Sequence, residues 1–233
     1  MGLWLLAPCP RSEPTPRVWL WAWERPEQLG FIDPARIGVA FHAATVRLVG
    51  DTVRPRNRYA SLVLPAGTRR VAVLRIEVER GALLSAAQRQ ELVRFITGRV
   101  KALAPDGVQV DFDARASERP FYRALLQELR AALPSELPLS MTALASWCLD
   151  DDWLDGLPVD EVVPMVFRMG VDAPMVRGEL ARRGDFTGAR CRQSVGFVTD
   201  EPVPALPTGR RVYWFNPRSW RARDLQSILE QES

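Results

Sequence analysis

Eight short apolar runs, each followed by a helical pattern or a tight turn, recur along this chain of 233 residues. They are Val18–Trp23, Ile37–His42, Val71–Glu77, Val108–Phe112, Leu139–Trp147, Val162–Met169, Ser194–Thr199 and Val212–Phe215. Runs of 4–8 residues bounded by turn residues read as strands, and near-continuous apolar character reads as strands covered on both faces. Between them lie amphipathic segments. Ser85 with Gln88 forms a capping box that opens a helix carrying Leu92, Val93, Ile96, Val100 and Leu103 on one face. Ser117 precedes a second helix with Phe121, Leu125, Leu126, Leu129 and Leu133, stopped by Pro134. Further helices are expected over Ala173–Arg183 and Ala222–Leu229. The stretch from Val46 to Leu64 holds a Gly50–Asp51 turn between two β-like arms, which predicts a hairpin inserted between strands two and three. No Gly- or Ser-rich break divides the series. The pattern predicts an α/β fold: one (β/α)8 TIM-type barrel with a parallel closed sheet over residues 17–233, after a leader or linker at 1–16. The competing fold, an open doubly wound sheet, is disfavoured because no glycine-rich phosphate loop follows the first strand.

Composition narrows the chemistry. An apolar share of 47% and a charged share of 25% are ordinary for a globular chain and exclude a disordered or disulfide-stapled class. No run of about 18 apolar residues is present, so a spanning helix is not expected. Lys101 is the sole lysine among 31 basic residues, and net charge is only +3. The arginines are scattered, so a sequence pI near 9.0 does not mark a nucleic-acid face, and no nucleic-acid partner is expected. His42 is the single histidine, which excludes a multi-histidine metal site, and its place in a buried strand favours a hydrogen-bonded core residue over a catalytic base. No CxxC occurs. Neither metal nor cofactor is expected, and the chain is expected to act as a monomer.

The run Leu3-Trp-Leu-Leu-Ala-Pro-Cys9 reads as the remnant of a lipoprotein export signal, with Cys9 the anchor for a lipid. It lacks a basic n-region, and a chance cysteine in a cytoplasmic chain is the alternative. With Cys9 set aside, Cys148 and Cys191 are a pair that an oxidising compartment could bridge. The expected location is the cell envelope or periplasm.

In a barrel of this type chemistry sits at the carboxyl ends of the strands. Glu24, Glu77, Asp111, Asp113, Ser146, Trp147, Arg168, Asp200, Glu201 and Asn216 all fall there. Strand four is the most specific: in Asp106-Gly-Val-Gln-Val-Asp-Phe-Asp113 a period of two puts Gln109, Asp111 and Asp113 on the lumen face and Val108, Val110 and Phe112 against the helices. Two carboxylates stacked in a confined site repel, which favours one holding a proton near neutral pH, ready for a leaving oxygen. The plainer alternative pairs them with Arg75 or Arg168. Trp19, Trp21 and Trp23 alternate on one face of strand one, and Trp147, Trp153 and Trp214 lie near strand ends. Trp19 and Trp21 are expected in the core, while Trp23, Trp147 and Trp214 are candidate platforms for sugar rings.

The strand-four string resembles the signature of family 18 glycoside hydrolases, D-G-Φ-D-Φ-D-Φ-E with Φ apolar. The resemblance places Gln109 at the first inner aspartate, Asp111 at the middle one and Asp113 at the catalytic glutamate. Met165-Val-Phe-Arg168 resembles that family's M-x-Y-D, with Phe167 lacking the hydroxyl and Arg168 replacing an acid. A closer resemblance is carried by Val18-Trp-Leu-Trp-Ala-Trp-Glu-Arg-Pro26, Val108–Ala114, Thr142-Ala-Leu-Ala-Ser-Trp-Cys148, Pro164–Gly170, Asp200-Glu-Pro202 and Tyr213-Trp-Phe-Asn216. It is to an uncharacterised bacterial family, domain of unknown function 3142. That resemblance implies a glycosidase-like barrel, often in exported proteins, and no established activity. The sequence thus predicts a barrel acting on a bacterial polysaccharide or glycoconjugate, with Asp113 as general acid and Asp111 tuning it. Glu24, Glu77 or Glu201 would supply a second carboxylate, and Trp23, Gln109, Trp147, Arg168, Trp214 and Asn216 would bind substrate. The alternative is a barrel that binds a glycan or an envelope partner without turnover.

Overall fold

The computed structural model describes residues 15–231. The expected eight strands form β1 (Val18–Ala22), β2 (Ile37–Val49), β3 (Arg70–Val78), β4 (Gly107–Asp111), β5 (Leu139–Leu144), β6 (Glu161–Met165), β7 (Ser194–Val198) and β8 (Arg211–Phe215). Each pairs in parallel with its neighbours, and β1 pairs with both β2 (Leu20↔Val39) and β8 (Leu20↔Trp214), which closes the ring. The fold is a (β/α)8 TIM-type barrel. Its helices are α1 (Ala86–Leu103), α2 (Arg119–Ala132), α3 (Ala173–Arg183) and α4 (Ala222–Gln231). None of the described helices is long and apolar enough to cross a membrane. The leader reading and Cys9 lie outside the described residues.

Local chemistry accounts for the helix limits. Ser85 accepts the backbone N–H of Gln88 while the Gln88 side chain accepts that of Ser85, so the expected capping box is present. A 3-10 turn over Ala116–Glu118 leads into α2, where Pro120 sits in the first turn and Phe121, Tyr122, Leu125, Leu126 and Leu129 are buried. Arg183 ends α3 at Gly184, whose φ of 76° is the left-handed conformation a helix C-terminus favours.

Three strands differ from expectation in length, each for a visible reason. β2 runs on to Val49 and becomes the first arm of the hairpin, whose return arm Thr52–Asn57 pairs with it antiparallel. A bulge between His42 and Ala44 shifts the register, so that His42 and Thr45 share the lumen face, with 2.8 Å between His42 Nε2 and Thr45 Oγ1. β5 stops at Leu144, because Ala145–Cys148 coil into a 3-10 turn. β6 stops at Met165, beyond which Arg168 takes a φ of 49°.

The core has two layers. Inside the ring pack Trp19, Trp21, Ala40, Val71, Val73, Val163 and Tyr213. Between ring and helices packs a larger layer that includes Leu20, Val110, Tyr122, Leu129, Met141 and Trp214. Two glycines make the lumen wide enough for two tryptophans. A methyl on Gly38 would stand 2.5 Å from the Trp19 ring, and one on Gly196 would stand 2.7 Å from Trp21. Cys148 and Cys191 are bridged and buried, tying the turn after β5 to the segment before β7.

Candidate active site

The lumen face of β4 carries three polar side chains, one above another. Gln109 is fully buried, accepting from Trp21 Nε1 at 2.9 Å and donating to Ser140 Oγ at 3.3 Å. It is a fixed floor beneath the site. Asp111, with its side chain 4% exposed, accepts from Thr142 Oγ1 at 2.8 Å and from Arg75 Nη1 at 2.8 Å. Those two bonds use both carboxylate oxygens and fix the side chain in place. Asp113 stands at the rim with its side chain 43% exposed, and Arg75 Nη2 lies 3.6 Å away, too far for a normal hydrogen bond. Arg75 also donates to Glu77 at 3.2 Å, so one guanidinium serves three acids.

This arrangement separates the two aspartates. Exclusion of water by the surrounding walls, and then the charge of Asp111, push the Asp113 carboxyl up to about 6, against a smaller opposing pull from Arg75. Burial works against the charge on Arg75, but the neighbouring acids, Asp111 first, outweigh it and hold the guanidinium firmly protonated. Asp113 is therefore the proton-bearing member of the pair in mildly acidic solution.

Above these groups opens a cavity of about 400 Å³. Trp21, Val73, Met165, Phe167 and Phe215 give it an apolar wall; Trp23, Ser146, Met169 and Asp172 also line it. Phe167 and Phe215 stack with their planes 7° apart, and Trp23 meets Phe215 edge-on. Flat faces beside a proton donor suit a ring with one apolar side and polar substituents.

The structure brings Trp23, Asp111, Asp113 and Arg168 together at this cavity. Ser146 lines it with them, and the other candidates are elsewhere. Glu24 pairs with Arg56 on the hairpin arm. Glu77 pairs with Arg75 and Arg47 and does not line the cavity. Glu201 binds Arg168 at 2.8 Å and Arg177 at 3.3 Å. Trp147 is carried by the 3-10 turn into the outer layer, edge-on to Trp153 and beneath Arg119. Trp214 and Asn216 lie on the helix side of β8, because period two gives the lumen to Tyr213 and Phe215. Trp214 packs on Phe197, and Asn216 donates to Asp224 and accepts from Thr199. Arg168 pairs with Asp200 and Glu201 instead of the β4 acids.

Thr142, Phe215 and Asp172 line the cavity, although the strand-end reading did not select them. Strand parity marks the first two, since Thr142 follows Ser140 and Phe215 follows Tyr213 on the lumen side. Asp172 carried no signal beyond that of an acid ahead of a helix. His42 is buried beside Trp23, contacts Thr45 and does not line the cavity. Burial lowers its pKa.

A closed parallel barrel with acids and an arginine above an aromatic wall, at the carboxyl ends of its strands, is a TIM-type barrel with a candidate site where that fold carries its chemistry. Residues 66–175 match the family described as a domain of unknown function (DUF3142). That segment contains the strand-four, Thr142–Cys148 and Pro164–Gly170 strings, while the Val18–Pro26 and Tyr213–Asn216 strings lie outside it. No curated protein matches the chain. Among solved structures, the chain is similar in fold to a family GH18 chitinase from Chromobacterium violaceum, with 14% identity and a TM-score of 0.52, over 87% of this chain and 79% of that one. The spore cortex-lytic enzyme SleL of Bacillus cereus aligns with 16% identity and a TM-score of 0.49, over 79% of this chain. The chitinase domain of the spore coat protein CotE from Clostridium difficile aligns with 14% identity and a TM-score of 0.43, over 69% of this chain. The chain spans 50% and 52% of the lengths of these last two.

Proposed function

We propose that this barrel hydrolyses a glycosidic bond in a bacterial polysaccharide or glycoconjugate, with Asp113 as the general acid. The reading rests on one observation: Asp113 stands at the rim of an aromatic-walled cavity, above an aspartate held by arginine and threonine. Asp113 gives its proton to the leaving oxygen, and Asp111 stabilises the positive charge that grows on the sugar ring. Phe167 offers no hydroxyl and Gln109 is committed to Trp21 and Ser140. The substrate-assisted route of family 18 is therefore not carried over. Chitin oligosaccharides head the substrate panel because the Chromobacterium violaceum protein is named a chitinase. Partially deacetylated chitosan and peptidoglycan complete it. Release of reducing ends is the test: Asp113→Asn folds normally and loses at least ~100-fold in rate. Full activity in that variant ends the assignment.

The second reading is glycan binding without turnover, favoured by the proximity of Arg75 to Asp113. Binding of a panel member by the wild type, with no product and no effect of Asp113→Ala, selects it. The buried Cys148–Cys191 bridge supports placing the protein in the envelope or periplasm.

A further inference from the structure

Hydrolysis with a general acid on β4, and Asp111 facing the sugar's positive charge, still calls for a group that activates the attacking water. Asp111 is committed to Arg75 and Thr142, and Glu24, Glu77 and Glu201 are drawn into ion pairs and do not themselves line the cavity. Among the described residues, one further carboxylate lines the cavity, and it is Asp172. Asp172 occupies the N-cap position of α3, where an aspartate ordinarily accepts a backbone N–H, yet its side chain makes no capping bond. It has no ion-pair partner among the described residues either.

The segment that carries Asp172 is held firmly. Arg168, in a left-handed conformation uncommon for arginine, is pinned to Asp200 at 2.7 Å and to Glu201 at 2.8 Å, while Arg177 on α3 bonds Glu201. These contacts fix the path from β6 into α3 on both sides of Asp172. Asp113 follows β4 and Asp172 follows β6, with β5 between. Two strand spacings of ~4.8 Å separate their elements by roughly 10 Å. That separation of elements lies nearer the ~6.5–9.5 Å between the carboxyl groups of inverting glycosidases, which leaves room for a water, than the ~5–5.5 Å of retaining ones.

Building on the hydrolase reading above, we propose that Asp172 is the general base of an inverting reaction. The oxygen of a water held by Asp172 bonds to the anomeric carbon while the bond from that carbon to the leaving oxygen breaks. The proton of the water passes to Asp172, and the proton of Asp113 passes to the leaving oxygen. No covalent enzyme intermediate forms.

Proton NMR of the first product released from the panel member that the wild type hydrolyses tests the stereochemistry. Inverted anomeric configuration is the expected result, and retained configuration overturns the proposal while leaving the hydrolase reading standing. Asp172→Asn is expected to lose ~10²–10⁴-fold in turnover with its thermal unfolding unchanged. Activity within twofold of wild type overturns the role of Asp172. A 2,4-dinitrophenyl glycoside of the same sugar, whose leaving group needs no proton, separates the two acids: it restores Asp113→Asn and not Asp172→Asn. Restoration of both variants overturns the assignment of the base. Absence of turnover by the wild type on every panel member overturns the hydrolase reading and this proposal with it.

Discussion

Asp113 carries a cost in the folded state that its neighbours impose. Its carboxyl holds a proton up to about pH 6, whereas the unfolded chain releases it near 3.8. The folded protein therefore binds this proton more tightly, and stability falls as pH rises from about 4 to 6 and stays lower above that. Asp113→Asn removes the penalty. A shift of this size corresponds to about 3 kcal/mol, and solvent at the rim reduces it to about 1 kcal/mol. Urea unfolding should show the variant gaining that much at pH 7 and nothing below pH 4; equal gains at both pH values would contradict the account. Arg75 pulls the other way, holding the Asp113 proton more loosely than burial and Asp111 alone would. Arg75→Gln should thus move the alkaline limb of activity upward. It should also cost about 3 kcal/mol by stranding the buried Asp111 charge. Arg75→Lys, which keeps the charge, should restore most of both. An unmoved limb in Arg75→Gln would remove Arg75 from the acid–base machinery.

Along the strands, period two explains both what could be read from sequence and what could not. Gln109, Asp111 and Asp113 were legible as one face because β4 is short and regular. The same rule applied to β8 assigns Tyr213 and Phe215 to the lumen and Trp214 and Asn216 to the helices, so choosing strand ends by polarity alone misplaced two residues. Trp147 was lost differently, since nothing in Ala-Leu-Ala-Ser-Trp announces that the strand coils at Ala145. In β2 the bulge after His42 reverses the alternation, which a simple periodic reading cannot anticipate. The pairing of large and small residues across the lumen was invisible because it joins residues remote in sequence. It has a measurable consequence. Gly38→Ala drives a methyl into Trp19 and should cost ~1–3 kcal/mol. Trp19→Phe in the same chain should relieve part of that, giving a favourable coupling in a double-mutant cycle. Additive losses would mean that the glycine answers to something other than the ring.

At the scale of the molecule, the eightfold alternation was enough to give the barrel, although helices cover only part of it. Between β1 and β2, and again between β2 and β3, the chain uses short strands and the hairpin in place of helices. Between β5 and β6 it uses a 3-10 turn, stapled through Cys148 to Cys191 across 43 residues of sequence. Closing a loop of that length in the unfolded chain stabilises the fold by about 4 kcal/mol. Cys148→Ala with Cys191→Ala should therefore lower Tm by roughly 10 °C in a chain of this size. An unchanged Tm would show that the turn holds itself. The whole arrangement converges on one proton, placed by β4, loosened by β3 and offered to a cavity walled by β1, β6 and β8. The pH dependence of kcat/KM on a natural glycan tests that convergence most directly. The rate should fall about tenfold per pH unit above pH 6, and the limb should be absent from the residual activity of Asp113→Asn. A profile flat from pH 5 to 8, or an identical limb in the variant, would contradict it.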